Sequence, residues 1–354
     1  MPKWKLIGPK IPNWVWASHL KRPTGFVDGQ IRWEAFPSGA AAWAALDADN
    51  LPDGARTLLL VHGTGLRSEL GFGGFSESDY ARLQARYGGR IIAFEHRAIA
   101  HRVQRNASDL IHRLSRAGVR LELDVIGLSR GGLIARCITE GWSAKQRGVE
   151  LIRIHKLIFV GTPNGGTPSA GRARYGVGSR AMKAWRTDVR RLTLTNLVDR
   201  EVEHVEEPHS LRGVDDKAPK MGRWPLLHGS QDQVPGSKTL RRLNGFSGPP
   251  PGAPQDTRYY GVASVFSFDH GAPDSLVSGF TRSEVMKLVL HDVPNDLVVP
   301  TASVYAPDQG AHAGGRFPLD PQRLLVLGPA SNVTHTTLMF TGAVRERILG
   351  WLAA

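Results

Sequence analysis

A single cysteine, Cys137, stands in 354 residues, so no intramolecular disulfide can form and the core must hold without covalent staples. Set in the apolar run GLIARC (132–137), that thiol reads as a small buried hydrophobe rather than a reactive group. Long hydrophobic runs are missing as well. No stretch approaches the roughly 18 apolar residues of a membrane-spanning helix. The opening MPKWKLIGPKIPNW lacks an apolar core of about 7–15 residues, the mark of a secretory signal. The expectation is a cytoplasmic protein. Internal repeats, zinc-knuckle and H-E-x-x-H spacings, RNP-like aromatic motifs and long basic tails are also absent, which argues against repeat scaffolds, metalloproteases and common nucleic-acid modules. His96, His101, His112, His270 and His291 form no paired ligand motif and read as structural. His62 and His96 are expected to brace loops through hydrogen bonds. No metal and no cofactor is expected.

Acidic residues are the scarcer sign of charge. Forty-five Lys and Arg against 32 Asp and Glu give a formal charge of +13, which favours an anionic partner without choosing one.

What the chain does contain is an alternation of apolar strands and amphipathic helices. Strands are predicted at 31–36 (IRWEAF), 57–61, 90–96, 121–127, 155–161 and 257–266, with a strand-like run at 322–328. Val103, Ala107, Leu110, Ile111 and Leu114 recur at helical spacing and predict a helix covering one sheet face. A last helix is predicted over 336–352, and SGPPPGAP (247–254) reads as a stiff loop. Such alternation predicts an α/β fold with a mostly parallel, doubly wound sheet.

Within that frame, VIGLSRGG (125–132) holds a G-x-S-x-G pentapeptide between a strand-like and a helical run. An abrupt strand-to-helix turn exposes its central residue, and small neighbours, here Gly127 and Gly131, clear room for it. Ser129 is therefore the candidate nucleophile, and the following helix aims N–H groups and a positive dipole end at charge developing beside it. Upstream, the strand Thr57–Val61 runs into His62, Gly63 and Thr64, a glycine-containing turn whose backbone can complete an oxyanion hole with the N–H of Arg130. A nucleophilic serine needs a base and an orienting acid. HDVPNDLVVPTAS (291–303) offers Asp296 in an Asn-Asp turn, with Asp292 as runner-up, and SNVTHTTLM (331–339) offers His335. The order Ser129, Asp296, His335 is the one that α/β-hydrolase topology imposes.

These segments, with YGGRIIAFEH (87–96), FVGTPNGGT (159–167), NDLVVP and THTTL, resemble bacterial lipase- and esterase-like α/β-hydrolases. They are similar to the GPI inositol-deacylase and triacylglycerol lipase group and to hydrolase domains found beside CHAT-type proteases. The resemblance spans roughly residues 30–350. It implies an α/β-hydrolase fold, Ser129 as nucleophile, Asp296 as acid, His335 as base and Thr64 and Arg130 as oxyanion donors. Many relatives carry histidine before the serine, where this chain has Leu128. The implied substrate is an acyl ester or lipid. A thioesterase or peptidase using the same residues, or a binding protein that has kept the fold without turnover, is the alternative reading.

Residues 1–163 and 257–354 are assigned to the hydrolase core and 164–256 to a cap or lid insertion. From Arg172 to Arg200 this insertion carries eight Lys or Arg against Asp188 and Asp199, followed by Glu201, Glu203, Glu206 and Glu207. It reads either as solvated helix faces or as a basic lid in peripheral contact with an anionic lipid surface.

Overall fold

The computed structural model describes residues 53–64, 68–98, 101–116, 118–170, 228–245, 255–268, 291–307 and 316–354, together with four short strands in the first 50 residues and scattered positions between 276 and 290. In chain order the strands are β1 (His19–Pro23), β2 (Phe26–Val27), β3 (Gln30–Ile31), β4 (Trp43–Ala45), β5 (Arg56–Val61), β6 (Ile91–Glu95), β7 (Leu121–Leu128), β8 (Ile152–Val160), β9 (Arg258–Ser264), β10 (Leu276–Val277), β11 (Phe280–Thr281) and β12 (Leu324–Leu327). The helices are α1 (Ser68–Phe72), α2 (Glu77–Tyr87), α3 (Val103–Ser115), α4 (Arg130–Thr139), α5 (His228–Gln231), α6 (Lys238–Leu243), α7 (Thr301–Tyr305) and α8 (Gly342–Ala353).

Among the described residues the main sheet runs β12-β9-β8-β7-β5-β6-β1-β4. Strands β12 through β6 in that order pair in parallel, while β1 is antiparallel to both β6 and β4. The parallel strands read as continuous apolar runs because helices cover both faces. Leu59, Val61, Leu123, Val125, Leu157 and Phe159 join a core with α3, α4, α6 and α7. Their alternates Leu58, Leu60, Ile126, Leu128, Ile158 and Val160 join a second core with α1, α2 and α8. All five positions that predicted α3 are buried on its sheet-facing side. Sequence order reverses at β5, which has β6 on one flank and β7 on the other. Such a switch point opens a crevice at the carboxyl ends of the strands, where His62–Thr64 and Ser129 lie. This strand order with its antiparallel second strand is the α/β-hydrolase fold, as expected.

Ile31, the first residue of the strand predicted at 31–36, ends β3, which pairs with β2 in a separate ribbon, whose connecting residues in sequence are Asp28 and Gly29, a dipeptide that favours two-residue hairpins. Residues 32–36 lie outside the described residues. The last helix begins at Gly342 rather than 336. Thr337 Oγ1 accepts from the Thr334 N–H at 2.9 Å and the Thr341 hydroxyl donates to the Thr337 carbonyl at 2.9 Å. These local bonds turn the chain before helical bonding starts.

Residues on either side of the stretch 171–227, which lies outside the described residues, are pinned together in a neck. Leu240 and Leu243 of α6 lie in the same core as the sheet, and the Thr167 N–H donates to the Gln233 carbonyl at 2.7 Å. Fully buried Arg136 ties the neck to α4: its Nε meets Glu140 Oε1 at 2.8 Å, Nη1 donates to Asn164 Oδ1, and Nη2 donates to the Leu243 carbonyl and Asn244 Oδ1. Burial works against the Arg136 charge, but Glu140 outweighs it and holds the guanidinium above its ordinary range. Removing one member of such a pair strands the other charge in the interior, at a cost of about 3–5 kcal/mol. Arg136→Met is expected to lose that much in urea unfolding, and a loss below 1 kcal/mol, roughly the level of an exposed pair, would show that the neck is not held this way. The basic run 172–200 and the loop 247–254 lie outside the described residues.

Candidate active site

The eight-residue strand β7 ends at Leu128 and α4 begins at Arg130, so the whole reversal falls on Ser129. Its backbone sits at φ 51°, ψ −125°, a region that L-residues avoid and that costs about 1–3 kcal/mol unless its surroundings enforce it. The enforcement is visible. The Ser129 N–H donates to the Val160 carbonyl at 2.7 Å, and the Gly132 N–H returns to the Ser129 carbonyl at 3.1 Å. Close approach of α4 to β5 demands Gly131, where a Cβ would lie 2.0 Å from the Val61 carbonyl oxygen. Gly131→Ala must therefore push helix and strand apart, a backbone clash expected to cost at least about 3 kcal/mol, the upper end for overpacking. Denaturant unfolding of the variant checks it, and wild-type stability would refute the close packing.

Across the crevice, Asp296 and His335 meet. His335 Nδ1 donates to Asp296 Oδ2 at 2.7 Å, and the His335 backbone N–H donates to the Asp296 carbonyl at 2.8 Å, so side chain and main chain are registered together. The second carboxylate oxygen, Oδ1, accepts from the Val298 and Val299 N–H groups at 3.0 and 2.7 Å. Wrapping the loop around Asp296 forces Leu297 to φ 77°, unusual for a branched residue. Asn295 Oδ1 accepts from the Leu297 N–H and stabilises this turn. Asp292, the runner-up, points elsewhere: its side chain is 71% exposed and 4.0 Å from Lys287 Nζ.

The end of β8 links the two halves. Val160 accepts from Ser129, and at the next residue, Gly161 (φ 58°), a Cβ would stand 2.9 Å from His335 Nδ1 and Cε1. On the other side, a Cβ at Gly63 would stand 2.9 Å from Ser129 Cβ. Gly63, Ser129, Gly161 and His335 are thus neighbours, drawn from four separate stretches of chain. Ser129 and His335 are largely buried and Asp296 almost completely so. Arg130 opens α4, so its N–H belongs to the first turn and has no intrahelical acceptor. Thr64 is exposed, and its Oγ1 accepts from Gln233 Nε2 at 3.0 Å.

Beneath these residues lies a buried polar layer. His62 and His96 stack with ring centroids 4.0 Å apart, and the His96 N–H donates to His62 Nε2 at 3.2 Å. That acceptor role puts the His62 proton on Nδ1, which donates to the Gly63 carbonyl at 2.9 Å. His62 braces its loop, as expected, whereas the His96 ring reaches the Phe94 carbonyl near the end of β6, at 3.5 Å. Buried Glu95 accepts from the Ser68 N–H at 2.6 Å. Burial, then the electrostatic influence of His62 and the Arg130 charge, push His96 well below the ordinary imidazole range, so it is neutral. The Arg130 side chain is fully buried, with Nη2 donating to the His101 carbonyl at 2.6 Å and Nε to the Gly229 carbonyl at 3.1 Å. Burial pulls its pKa down to about 10 against the attraction of Asp232, which leaves it charged at neutral pH. Cys137 is buried on the same helix and its thiol is pushed up to about 12 by burial, so it is unreactive.

Gln233, Asp232 and the Arg130 guanidinium escaped the sequence reading. Gln233 lies 169 residues from the Thr64 it touches, and no local pattern marks a long-range hydrogen bond. Asp232 caps α3 through the Val103 N–H at 2.7 Å, and the polar start of that helix was the available signal. Arg130 stands inside the pentapeptide, a motif that specifies its backbone N–H and not its side chain.

No curated protein sequence matches this chain. Solved structures with similarity include a Bacillus licheniformis lipase in its propeptide form, 16% identical with a TM-score of 0.45 over 85% of this chain and 51% of that one. The chain thus spans about half the length of that lipase. A carboxylesterase from Nitrososphaera gargenis is 14% identical, TM-score 0.39, over 85% of this chain and 90% of that one. Phospholipase PlaB from Legionella pneumophila is 12% identical, TM-score 0.40, over 71% and 45%. A family model described as a domain of unknown function, DUF7379, matches residues 27–353, and the chain belongs to that family.

Proposed function

We propose that this protein is a serine hydrolase that cleaves carboxylic esters through an acyl-enzyme. The observation that carries the reading is the 2.7 Å bond from His335 Nδ1 to a buried, doubly hydrogen-bonded Asp296, next to a serine held at φ 51° at the head of a helix. With its Nδ1 proton committed to Asp296, His335 presents an unprotonated Nε2 and serves as general base. Ser129 Oγ adds to the ester carbonyl while His335 takes its proton. The backbone N–H groups of Thr64 and Arg130 stabilise the oxyanion. Collapse expels the alcohol, which leaves with the proton from His335. Water then adds to the acyl-enzyme by the same route, releasing the acid and restoring Ser129. No cofactor enters this scheme.

The lipase-like motifs and the basic run 172–200 support a lipid-like or anionic acyl substrate met at an anionic lipid surface, with 164–256 as the cap. The lone cysteine suits a cytoplasmic setting. A fluorophosphonate probe on the full chain tests the nucleophile: labelling at Ser129 is expected, and its absence would refute the reading. An ester, thioester and amide panel, run with and without anionic vesicles, tests the substrate. Turnover confined to thioesters or amides would overturn the ester assignment, and short-ester activity indifferent to vesicles would overturn the lipid one.

A further inference from the structure

At the opposite end of the sheet from Ser129, Arg56 at the start of β5, Arg86 on α2, Lys156 on β8, Arg258 at the start of β9 and Ala354 line a cavity of about 320 Å³. No acidic side chain lines it. Asp124 lies just behind, 1% exposed, bonded to Arg56 Nη1 at 3.0 Å and to the Tyr87 hydroxyl at 2.8 Å. Even with a carboxylate on Ala354 counted beside Asp124, four cations face two anions. Among the described residues neither Arg86 nor Arg258 is paired with a carboxylate. Lys156 is buried, with Nζ held by the Trp351 and Leu352 carbonyls at 2.9 and 3.1 Å. The cations feel one another: burial first, then Arg86, Arg258 and Arg56, hold Lys156 below the ordinary lysine range against the pull of Asp124.

We propose that this basal cavity binds a compact phosphate-bearing anion of several charges, a di- or triphosphate group. Three guanidinium groups converge from three different elements, and planar guanidinium forks match phosphate oxygens in pairs. Their stems stand on the ends of β5, α2 and β9, two of them interior strands of the sheet, so the three backbone anchors are fixed before a ligand arrives. A concavity of this volume suits a small ligand, whereas a membrane surface would need a convex or flat array. The site is separate from the ester reading, and neither depends on the other.

The test is calorimetric titration of the full chain with inorganic tripolyphosphate near 0.15 M salt, with a nucleoside triphosphate and anionic phosphatidylserine vesicles as parallel arms. Saturable one-to-one binding by a soluble phosphate is expected, weakened at least about tenfold in the Arg86→Ala, Arg258→Ala double variant. Both side chains are exposed, so ligand-free stability and fluorophosphonate labelling of Ser129 should be unchanged. The arm that binds more tightly tells whether a nucleotide or the bare phosphate chain is the natural form. No saturable binding at millimolar phosphate, equal binding by the double variant, or binding to vesicles alone would overturn the proposal. If the double variant does not fold, the single Arg258→Gln variant decides by the same titration.

Discussion

Replacing Ser129 by alanine is expected to lower ester turnover by about four to six orders of magnitude while leaving the fold intact. Under the proposed mechanism the size follows from a site that acts as a unit: without the nucleophile, His335 and Asp296 would have no proton to move, and only binding and oxyanion contacts would remain. The fold survives because the bonds that set the elbow are main-chain ones, from the Ser129 N–H to Val160 and from Gly132 to the Ser129 carbonyl, which alanine keeps. Alanine also differs from serine only by the hydroxyl oxygen. The measurement is steady-state turnover on the best ester of the panel, beside thermal unfolding of both proteins. Turnover within about tenfold of wild type would remove Ser129 from the chemistry, and a collapsed melting transition would mean that the hydroxyl supports the fold.

Asp296→Asn is expected to cost about 10⁴ in kcat with geometry preserved, whereas Asp292→Asn costs almost nothing. Asparagine can accept the Val298 and Val299 N–H groups as the carboxylate does, so the loop should keep its shape. Its amide, however, can donate to His335 Nδ1 and favour the tautomer whose Nε2 carries the proton, which makes the imidazole useless as a base. It also withdraws the negative charge that stabilises the imidazolium. Asp292 is 71% exposed and lies 4.0 Å from Lys287 Nζ, so its loss is expected to reach no part of the site. The two variants and wild type should be compared for kcat and KM, with a crystal structure or histidine NMR of Asp296→Asn to read the tautomer. Activity lost in Asp292→Asn and kept in Asp296→Asn would reverse the assignment.

Much of this was legible in the sequence because it is local. Apolar runs placed β5 through β9, since a sheet covered on both faces leaves a continuous apolar run in each parallel strand, and helical spacing placed α3. The pentapeptide marked the elbow because its glycines answer steric demands within a few residues. Asp296 was preferred to Asp292 from the Asn-Asp turn, and the turn's bond from the Leu297 N–H to Asn295 is the physical content of that preference. What stayed hidden is non-local or buried and charged. Gln233 on Thr64, Arg130 on Gly229 and Arg136 on Asn244 join the site to a stretch about 100 or more residues away, and composition carries no trace of such pairs. The basal cations come from four elements spread over 200 residues.

The neck has a consequence for how this protein can be changed. The Thr167–Gln233 bond joins the two limbs, and Arg136 holds Asn164 on one side and Leu243 and Asn244 on the other. With its ends already together, the intervening stretch is a closed loop, and doubling its length would cost only about 0.6 kcal/mol in closure entropy. Segments of different length or charge can then be spliced between residues 170 and 228 without retuning the elbow, provided that Gln233, Arg130 and Arg136 keep their grip.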